Sequence, residues 1–391
     1  MTCKTCFSPV FAVLFSITAG QASPMMALGD NGSIIARLGG AIQYQDNIFL
    51  DNANERSDTI VVFSPGVELN LGGSTSNAHT NVVYIHDFVH YFETDSLDRD
   101  NIRVAVKGHS KWPKARINYS MSFREHSQND ASNNVVGDIA RRDRYHGVIR
   151  SEWEMSAKSS LAASLGMDKV DYEAANLQDR QSYNIPLDYF WEYSPKLDMS
   201  VGYRFRHTSF SRDYNFPAAI GRDEPKDLST YKDHFLNVGV RGQVGPKMSG
   251  EIKVGIQNRE SNTSGRVLQD MFALDGQVVW AATEKTAGTL RISRDFRSDA
   301  FGASIESSEL SLSARTRFNE EYSGFATIRY AEDLYFTGRE DEAIFGQVGL
   351  TYTPSVHSAI SLAYVVYNNN SNFKSADFDS RLVNLSGKLR Y

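Results

Sequence analysis

The sequence predicts an all-β fold: a transmembrane, antiparallel, up-and-down β-barrel of about 18 strands (16–18), with short turns at one rim and long loops at the other. Three observations predict it. Most of the chain alternates apolar and polar residues with period two. The connections between the alternating segments are short and long in turn. The one continuously apolar run lies at the N-terminus and is too short to be a spanning helix.

The N-terminal run comes first. Lys4 precedes an apolar stretch over 7–17, and Ala19-Gly20-Gln21-Ala22 follows it. A basic start, a short apolar core and small residues make a secretory signal peptide. We expect it to span 1–22, with cleavage after Ala22 or, as the alternative, after Ala27, leaving 23–391 as a single barrel domain. Both cysteines, Cys3 and Cys6, fall inside it, so the exported chain has no disulfide to rely on. Neither follows a lipoprotein-type small-residue box. The chain as a whole has negative mean hydropathy, −0.40, which would ordinarily mean a soluble protein. A membrane barrel gives the same average, because each strand carries a lipid face and a wet face.

The strands follow. Ala115, Ile117, Tyr119, Met121 and Phe123 alternate with Arg116, Asn118, Ser120, Ser122 and Arg124. Leu197, Met199, Val201, Tyr203 and Phe205 alternate with Asp198, Ser200, Gly202, Arg204 and Arg206. The last stretch sets Val383, Leu385, Gly387, Leu389 and Tyr391 against Asn384, Ser386, Lys388 and Arg390. We read it as the assembly strand, with Leu389 and Tyr391 on its apolar parity, and as the partner of a first strand near residues 34–44. Such strands need about 10 residues to cross a membrane. Two prolines break the pattern. Pro186 and Pro65 each remove a ladder donor, and a bulge or break is expected at both. Residues 82–92 hold His86, Asp87 and His90, and their facing is not fixed by alternation.

The connections order the strands. Short ones carry Gly, Pro, Ser and Asn at 72–77, 112–113, 156–158, 194–195, 244–247, 283–285, 319–321 and 353–355. Long polar ones lie between them at 46–57, 93–100, 126–140, 173–179, 211–227, 260–268, 296–306, 334–341 and 368–379. Short periplasmic turns alternating with long external loops are the layout of an outer-membrane barrel, and a Greek-key sandwich would not alternate so regularly. The loop 211–227 has an apolar centre at 216–221. It is expected to fold into the lumen or onto a neighbour, and as a constriction it would set pore size.

Charge then separates the two faces. The chain is net −6, which gives no reason to bind nucleic acid. Yet the parity opposite the apolar one collects Arg116, Arg124, Arg204, Arg206, Arg241, Arg291, Arg315, Arg317, Arg329, Lys388 and Arg390. As pore-lining residues these would favour anions. Their other reading is structural: long side chains filling a wet interior and pairing with Asp or Glu across strands. Aromatics near strand ends, such as Tyr84, Trp191, Trp280 and Tyr364, suit interfacial girdles. Inward Phe190 and Phe345 could instead stack on sugar rings.

One motif stands apart. Tyr44, Asp46, Asn47 and Phe49 are followed by Ser57, Asp58 and Thr59, then Ser64, Pro65 and Gly66. Turn chemistry alone makes this a hairpin-defining set, because Asx and Thr side chains bond nearby backbone. A second reading uses Asp46, Asp51 and Asp58 as a glycan or Ca²⁺ contact. The combination resembles the second of the putative β-barrel porin families, bacterial outer-membrane barrels of which some are linked to capsule or exopolysaccharide production and export. The resemblance implies an outer-membrane location, the lipid bilayer and barrel assembly machinery as partners, and polysaccharide export components as further partners. It implies no catalytic residue and no cofactor.

The functional expectation is therefore a channel for an anionic glycan or small anionic solutes, with a general diffusion porin as the alternative. A barrel enzyme or adhesin is the reading from another class. His207, Ser209, Asp213 and His234 lie near one long loop and could make a Ser/His/acid set, but they follow no nucleophile motif.

Overall fold

The computed structural model describes residues 25–29, 31–73, 76–127, 139–211, 230–261 and 267–391. The signal peptide and all but Ser211 of the loop 211–227 lie outside them. The strands are β1 (Met26–Leu28), β2 (Gly32–Gln45), β3 (Asp58–Leu71), β4 (Ala78–Tyr91), β5 (Arg99–Trp112), β6 (Ala115–His126), β7 (Arg142–Ser156), β8 (Ser159–Tyr172), β9 (Arg180–Ser194), β10 (Leu197–Phe210), β11 (Tyr231–Gly245), β12 (Met248–Ser261), β13 (Val267–Trp280), β14 (Thr286–Ser298), β15 (Ser304–Arg317), β16 (Tyr322–Tyr335), β17 (Glu340–Ser355), β18 (Ser358–Ser371) and β19 (Phe378–Arg390). Among the described residues, β2 to β19 form a closed antiparallel barrel of 18 strands in sequence order, and no helix is long and apolar enough to cross a membrane.

Closure joins β19 to β2, from Leu382↔Gln45 to Arg390↔Arg37. The partner foreseen for the last strand is the one observed. Beyond it, Tyr391 N donates to Ala36 O at 2.9 Å. The short β1 then pairs Met26↔Ile34 to Leu28↔Gly32 on the same edge of β2, so it prolongs the line of β19 where that strand stops.

The two faces separate as alternation requires. On β19, Val383, Leu385 and Leu389 are exposed while Asn384 and Ser386 are buried. Around the wall, Leu236, Val238, Ile256 and Phe272 are more than half exposed. Apolar residues this open belong against lipid tails, with polar ones inside. Tyr84, Trp191, Trp280 and Tyr364 join that outer face. His86 and His90 do too, since Tyr84 and Phe88 share their parity, whereas Asp87 is buried inside.

Both prolines break a ladder without shifting its register. The β3–β4 ladder passes from Phe63↔Phe88 to Gly66↔Ile85, and the β8–β9 ladder from Ala163↔Leu187 to Gly166↔Asn184. In each case two positions lose their pairing on one side only. Pro65 still pairs with Leu38 and Pro186 with Arg204. A missing N–H costs one side of a ladder, not the strand.

Several connections are shorter or shifted, as two examples show. Residues 353–355 belong to β17, and its turn is at 356–357. The long 296–306 segment shrinks to 299–303, because β14 and β15 run on to Ser298 and from Ser304.

Candidate functional site

The inner wall and its external mouth carry the site. All eleven cations singled out in the sequence lie on the lumen parity, and the register shows how they are grouped. Arg116, Arg291, Arg315, Arg317 and Lys388 lie toward the short-turn side or the middle of their strands. Arg204, Arg206, Arg124 and Arg329 lie toward the long-loop side or mid-strand.

Many of these cations have carboxylate partners. Arg241 bonds Glu152 at 2.6 Å and Asp198 at 3.0 Å, with its guanidinium 3.5 Å above the Phe190 ring. Arg329 bonds Glu309 at 3.2 Å. Arg390 and Arg37 share Glu68, at 2.5 and 2.8 Å. Arg124 stands in register between Arg103 and Arg144, which pair with Asp87 and Asp168. Glu68, Asp168 and Asp233 are not singled out by the sequence, and alternation leaves the facing of Asp87 open; the ion pairs show that all four meet arginines of the inner wall.

The aromatic reading changes as well. Phe190 and Phe345 do face inward, but they are 1% and 3% exposed. Arg241 covers the face of Phe190, and Phe345 packs with Val365 and Leu382. Neither ring is open to a sugar.

The motif at the first loop closes one side of the mouth. Asn47 is fully buried. It donates to Asp51 O at 2.8 Å and to Asp379 O at 2.9 Å, and it accepts from Asp51 N at 3.0 Å. Asp46 accepts from Arg381 N at 2.7 Å. Asp58 accepts from the N–H groups of Phe92, Glu93 and Thr94 at 2.9–3.1 Å. Thr59 O accepts from Phe92 N, and Ser57 immediately precedes this strand. Ser64 donates to Asp87 at 2.6 Å. At Gly66 a Cβ would lie 2.5 Å from Tyr84 O, so the close strand approach requires glycine. Tyr44 sits on the outer face, half exposed. Asp51 accepts from Ala53 N at 2.9 Å. Asp46, Asp51 and Asp58 thus serve three separate backbone segments, which is turn chemistry. Ile48 and Phe49 pack on Ala41, Ile60, Val62, Val89 and Tyr91, which carries the loop inward over β2–β4.

The opposite side closes by a different device. The β13–β14 ladder runs from Trp280↔Gly288 only to Leu274↔Arg294. Beyond that point β14 leaves β13, while it stays paired with β15 up to Ser298↔Ser304. Phe296 has the parity of the lipid-facing Leu290 and Ile292, yet it is 0% exposed. It packs on Phe235, Met271 and Ala273, which are inner-wall residues of β11 and β13. Ser304 likewise meets Arg259 at 2.9 Å and Gln269 at 3.1 Å. The outer face of the β14–β15 tip therefore lies against the inner face of β11–β13. The tip is folded into the barrel.

The sequence explains why. Arg294-Asp295-Phe296-Arg297-Ser298-Asp299 puts charge on both faces, so this segment has no side fit for lipid. Inside, arginines take its backbone. Arg206 donates to Phe296 O at 2.7 Å, Arg259 to Arg297 O at 2.8 Å and Arg180 to Ser298 O at 3.1 Å. Three successive carbonyls of the tip thus accept from charged donors. Beneath them, Arg206 grips Asp295 with two bonds of 3.0 Å and Asp233 at 2.6 Å. Arg259 grips Asp233 at 2.6 and 2.9 Å. At the tip, Gln178 N donates to Ala300 O and Tyr231 donates to Gly302 O at 2.7 Å. Ala300 packs with Leu177 and Ala140 from two other loops. Burial raises the carboxyl of Asp299 to about 6, against two backbone donors and the nearby Arg339 and Arg180.

Of the enzyme-like grouping, the described members His207, Ser209 and His234 are on the outward face of β10 and β11. His207 and Ser209 have the outward parity of Tyr203 on β10, and His234 accepts or donates at 2.6 Å to Tyr203. Asp213 lies outside the described residues. Among the described residues no group of three His, Cys, Asp or Glu side chains could hold a metal ion.

The sequence profile of the family described as Putative beta-barrel porin 2 matches residues 33–391. No curated protein matches the chain. Solved structures of similar form include OpdK of Pseudomonas aeruginosa with vanillate, at 12% identity and TM-score 0.47, covering 92% of this chain and 99% of that one. The FrpB iron transporter of Neisseria meningitidis shares 9% identity at TM-score 0.49, over 88% of this chain and 62% of its own. A bacterial polysaccharide outer membrane secretin shares 8% identity at TM-score 0.39, over 91% and 98%. These are likenesses of general barrel form.

Proposed function

The chain belongs to the Putative beta-barrel porin 2 family, a bacterial outer-membrane porin-type barrel, and from that premise we propose that it is a channel for small anionic solutes. One observation carries the reading: Arg116, Arg291, Arg315, Arg317 and Lys388 share the inner wall toward the periplasmic turns, where Glu68 and Glu152 are taken up by other arginines, while Asp87, Asp168, Asp233 and Asp295 of the external half are engaged with arginines of their own. A solute entering the mouth passes a neutralised zone and then a basic one. Charge of one sign along a lumen favours passage of the other. Guanidinium groups also match carboxylate and phosphate geometry.

The folded-in β14–β15 tip and the first loop narrow the mouth from opposite sides. That favours small solutes over a polysaccharide chain, which would need the tip to move aside. Bilayer recording tests the reading directly. With a KCl gradient across a membrane holding the purified barrel, the reversal potential is expected to show anion preference. Cation preference, or no conductance, sinks it. Neutralising Arg315 and Arg317 together should shift the preference toward cations.

A further inference from the structure

The cluster under the folded-in tip has one feature that wall packing does not require. Three guanidinium groups, those of Arg204, Arg206 and Arg259, face two carboxylates, Asp233 and Asp295. Asp233 belongs to β11, in the wall beside them. Asp295 belongs to the tip that has left the wall, and it supplies the partner shared by Arg204, at 3.2 Å, and Arg206, at 3.0 Å. The site also keeps unused donors. Arg204 is 7% exposed and Gln257 0%. Among the described residues, Arg204 Nε and Gln257 Nε2 are buried without a hydrogen-bond partner, although Arg204 Nη2 reaches Gln257 Oε1 at 3.3 Å. A buried donor left unpaired is costly, and a native structure keeps one where something else can accept from it.

We propose that Arg204, Arg206 and Gln257 form a binding site for a carboxylate or phosphate group, occupied in this state by the channel's own Asp295, and that an anionic solute displaces Asp295 and frees the tip. The proposal rests on the channel reading and deepens it. The aspartate of the tip makes the bidentate contact with Arg206 that a solute carboxylate would make. A solute with two or three acceptor oxygens would also reach the idle donors of Arg204 and Gln257, which Asp295 leaves unused. Displacement has a mechanical consequence. Asp295 is next to Phe296 and Arg297, whose carbonyls Arg206 and Arg259 cap. Turning Arg206 toward a solute removes both its carboxylate grip and its carbonyl grip on the tip. The ladder to β13 already ends at Arg294, so the segment beyond can swing with no further strand hydrogen bond to break on that side. Internal competition of this kind lowers the apparent affinity by the fraction of time the site is closed.

The test uses the full mature chain in detergent and in planar bilayers, with succinate as probe. Asp295→Asn removes the internal anion and keeps the shape. It is expected to bind succinate at least about tenfold more tightly by calorimetry, a change of about 1.4 kcal/mol. Its KCl conductance should also rise. Asp295→Glu keeps the charge and should stay close to the parent, and Arg204→Gln with Arg206→Gln should lose succinate binding. A second arm covers misfolding of Asp295→Asn, which heat-modifiable mobility would reveal. Gln269→Cys with Ser304→Cys bridges the tip to β13 in a chain whose other cysteines are at positions 3 and 6. Oxidation should abolish the succinate-induced rise in amide exchange over 295–298, and reduction should restore it. Equal succinate affinity in the parent and Asp295→Asn, with both conducting KCl, overturns the inference and leaves the channel reading standing. Loss of KCl conductance in both removes the channel reading itself.

Discussion

Two seams of the same wall are built in opposite ways. The closing seam between β2 and β19 is zipped to its rim. Its ladder runs through Gln45↔Leu382, continues in Asp46 N to Arg381 O at 3.1 Å, and ends in the buried Asn47 bound to Asp379 O. The seam between β13 and β14 stops at Leu274↔Arg294. There the carbonyls of β14 are satisfied by arginine side chains from three other strands. In a bilayer every backbone polar group must find a partner inside the protein. The closing seam meets that demand with backbone, which fixes it. The other meets it with side chains, which can exchange partners. The difference separates the part of the wall that must assemble from the part that can move.

The largest expected effect comes from breaking the closing seam. Tyr391 exchanges backbone hydrogen bonds with Ala36 and stacks on His357 at 4.6 Å with planes 7° apart. Its removal leaves Ala36 unpaired between the ends of β19 and β1. Several-fold less heat-modifiable barrel should reach the outer membrane, since even ~1–2 kcal/mol changes abundance by that much. Normal barrel levels with altered transport would contradict the assignment of this residue to assembly.

Next is the clamp on the open seam. Arg259→Met leaves Asp233 with Arg206 and uncaps Arg297 O. Removing one member of a buried ion pair costs about 3–5 kcal/mol. Here the loss should be local, because the tip is tied to the rest of the barrel through few strands. Amide protection should collapse over 295–304 and persist across β2 and β19. A uniform loss of protection would mean the two seams are equally rigid.

At the first loop the expected effect is smaller. Asp58→Ala deletes three carboxylate-to-backbone bonds at one turn, of which water can replace part. A loss of about 1–3 kcal/mol in urea unfolding is expected. Calcium should make no difference to the parent's midpoint, because Asp46, Asp51 and Asp58 serve separate backbone segments. A Ca²⁺-dependent midpoint would revive the ion-site reading of that motif.

The same contrast explains what could be read from the sequence. The wall was legible because period-two alternation reports facing strand by strand, and the closing partner of β19 followed from parity and order alone. The lumen cations were legible for the same reason. Their carboxylate partners are less so, because parity can place Glu68 or Asp233 inside but only the fold shows which arginine each one meets. The inward tip was not legible. Residues 296–306 look like a long polar loop, and only the pairing shows that β14 and β15 continue through them while β13 does not. Phe296 is the sharpest case. Parity assigns it to lipid, and tertiary packing turns that same face onto the inner wall. At Pro65 and Pro186 the break that a missing donor predicts is confined to one edge of the strand.

The smallest expected effect concerns pH and again falls on the open seam. Asp299 lies in the connection 299–303 at the tip, where burial raises its carboxyl to about 6 while Arg339 and Arg180 pull the other way. Its carboxylate accepts from Phe301 N at 2.9 Å and Ala303 N at 2.7 Å. A carboxyl raised in the folded state binds its proton more tightly there than when the tip is released. Protonation therefore favours the folded-in tip as pH falls from about 7 through 6 toward the ordinary carboxylate range, and the gain is absent above that window. Amide protection over 299–304, corrected for intrinsic exchange, should rise between pH 7 and pH 5, and conductance should fall with it. Protection of Gln45 and Leu382 at the closing seam, away from Asp299, should not follow. Asp299→Asn should hold the low-pH behaviour at pH 7. If conductance still falls with pH in that variant, the sensitivity belongs to another group, and the tip is held by its arginines alone.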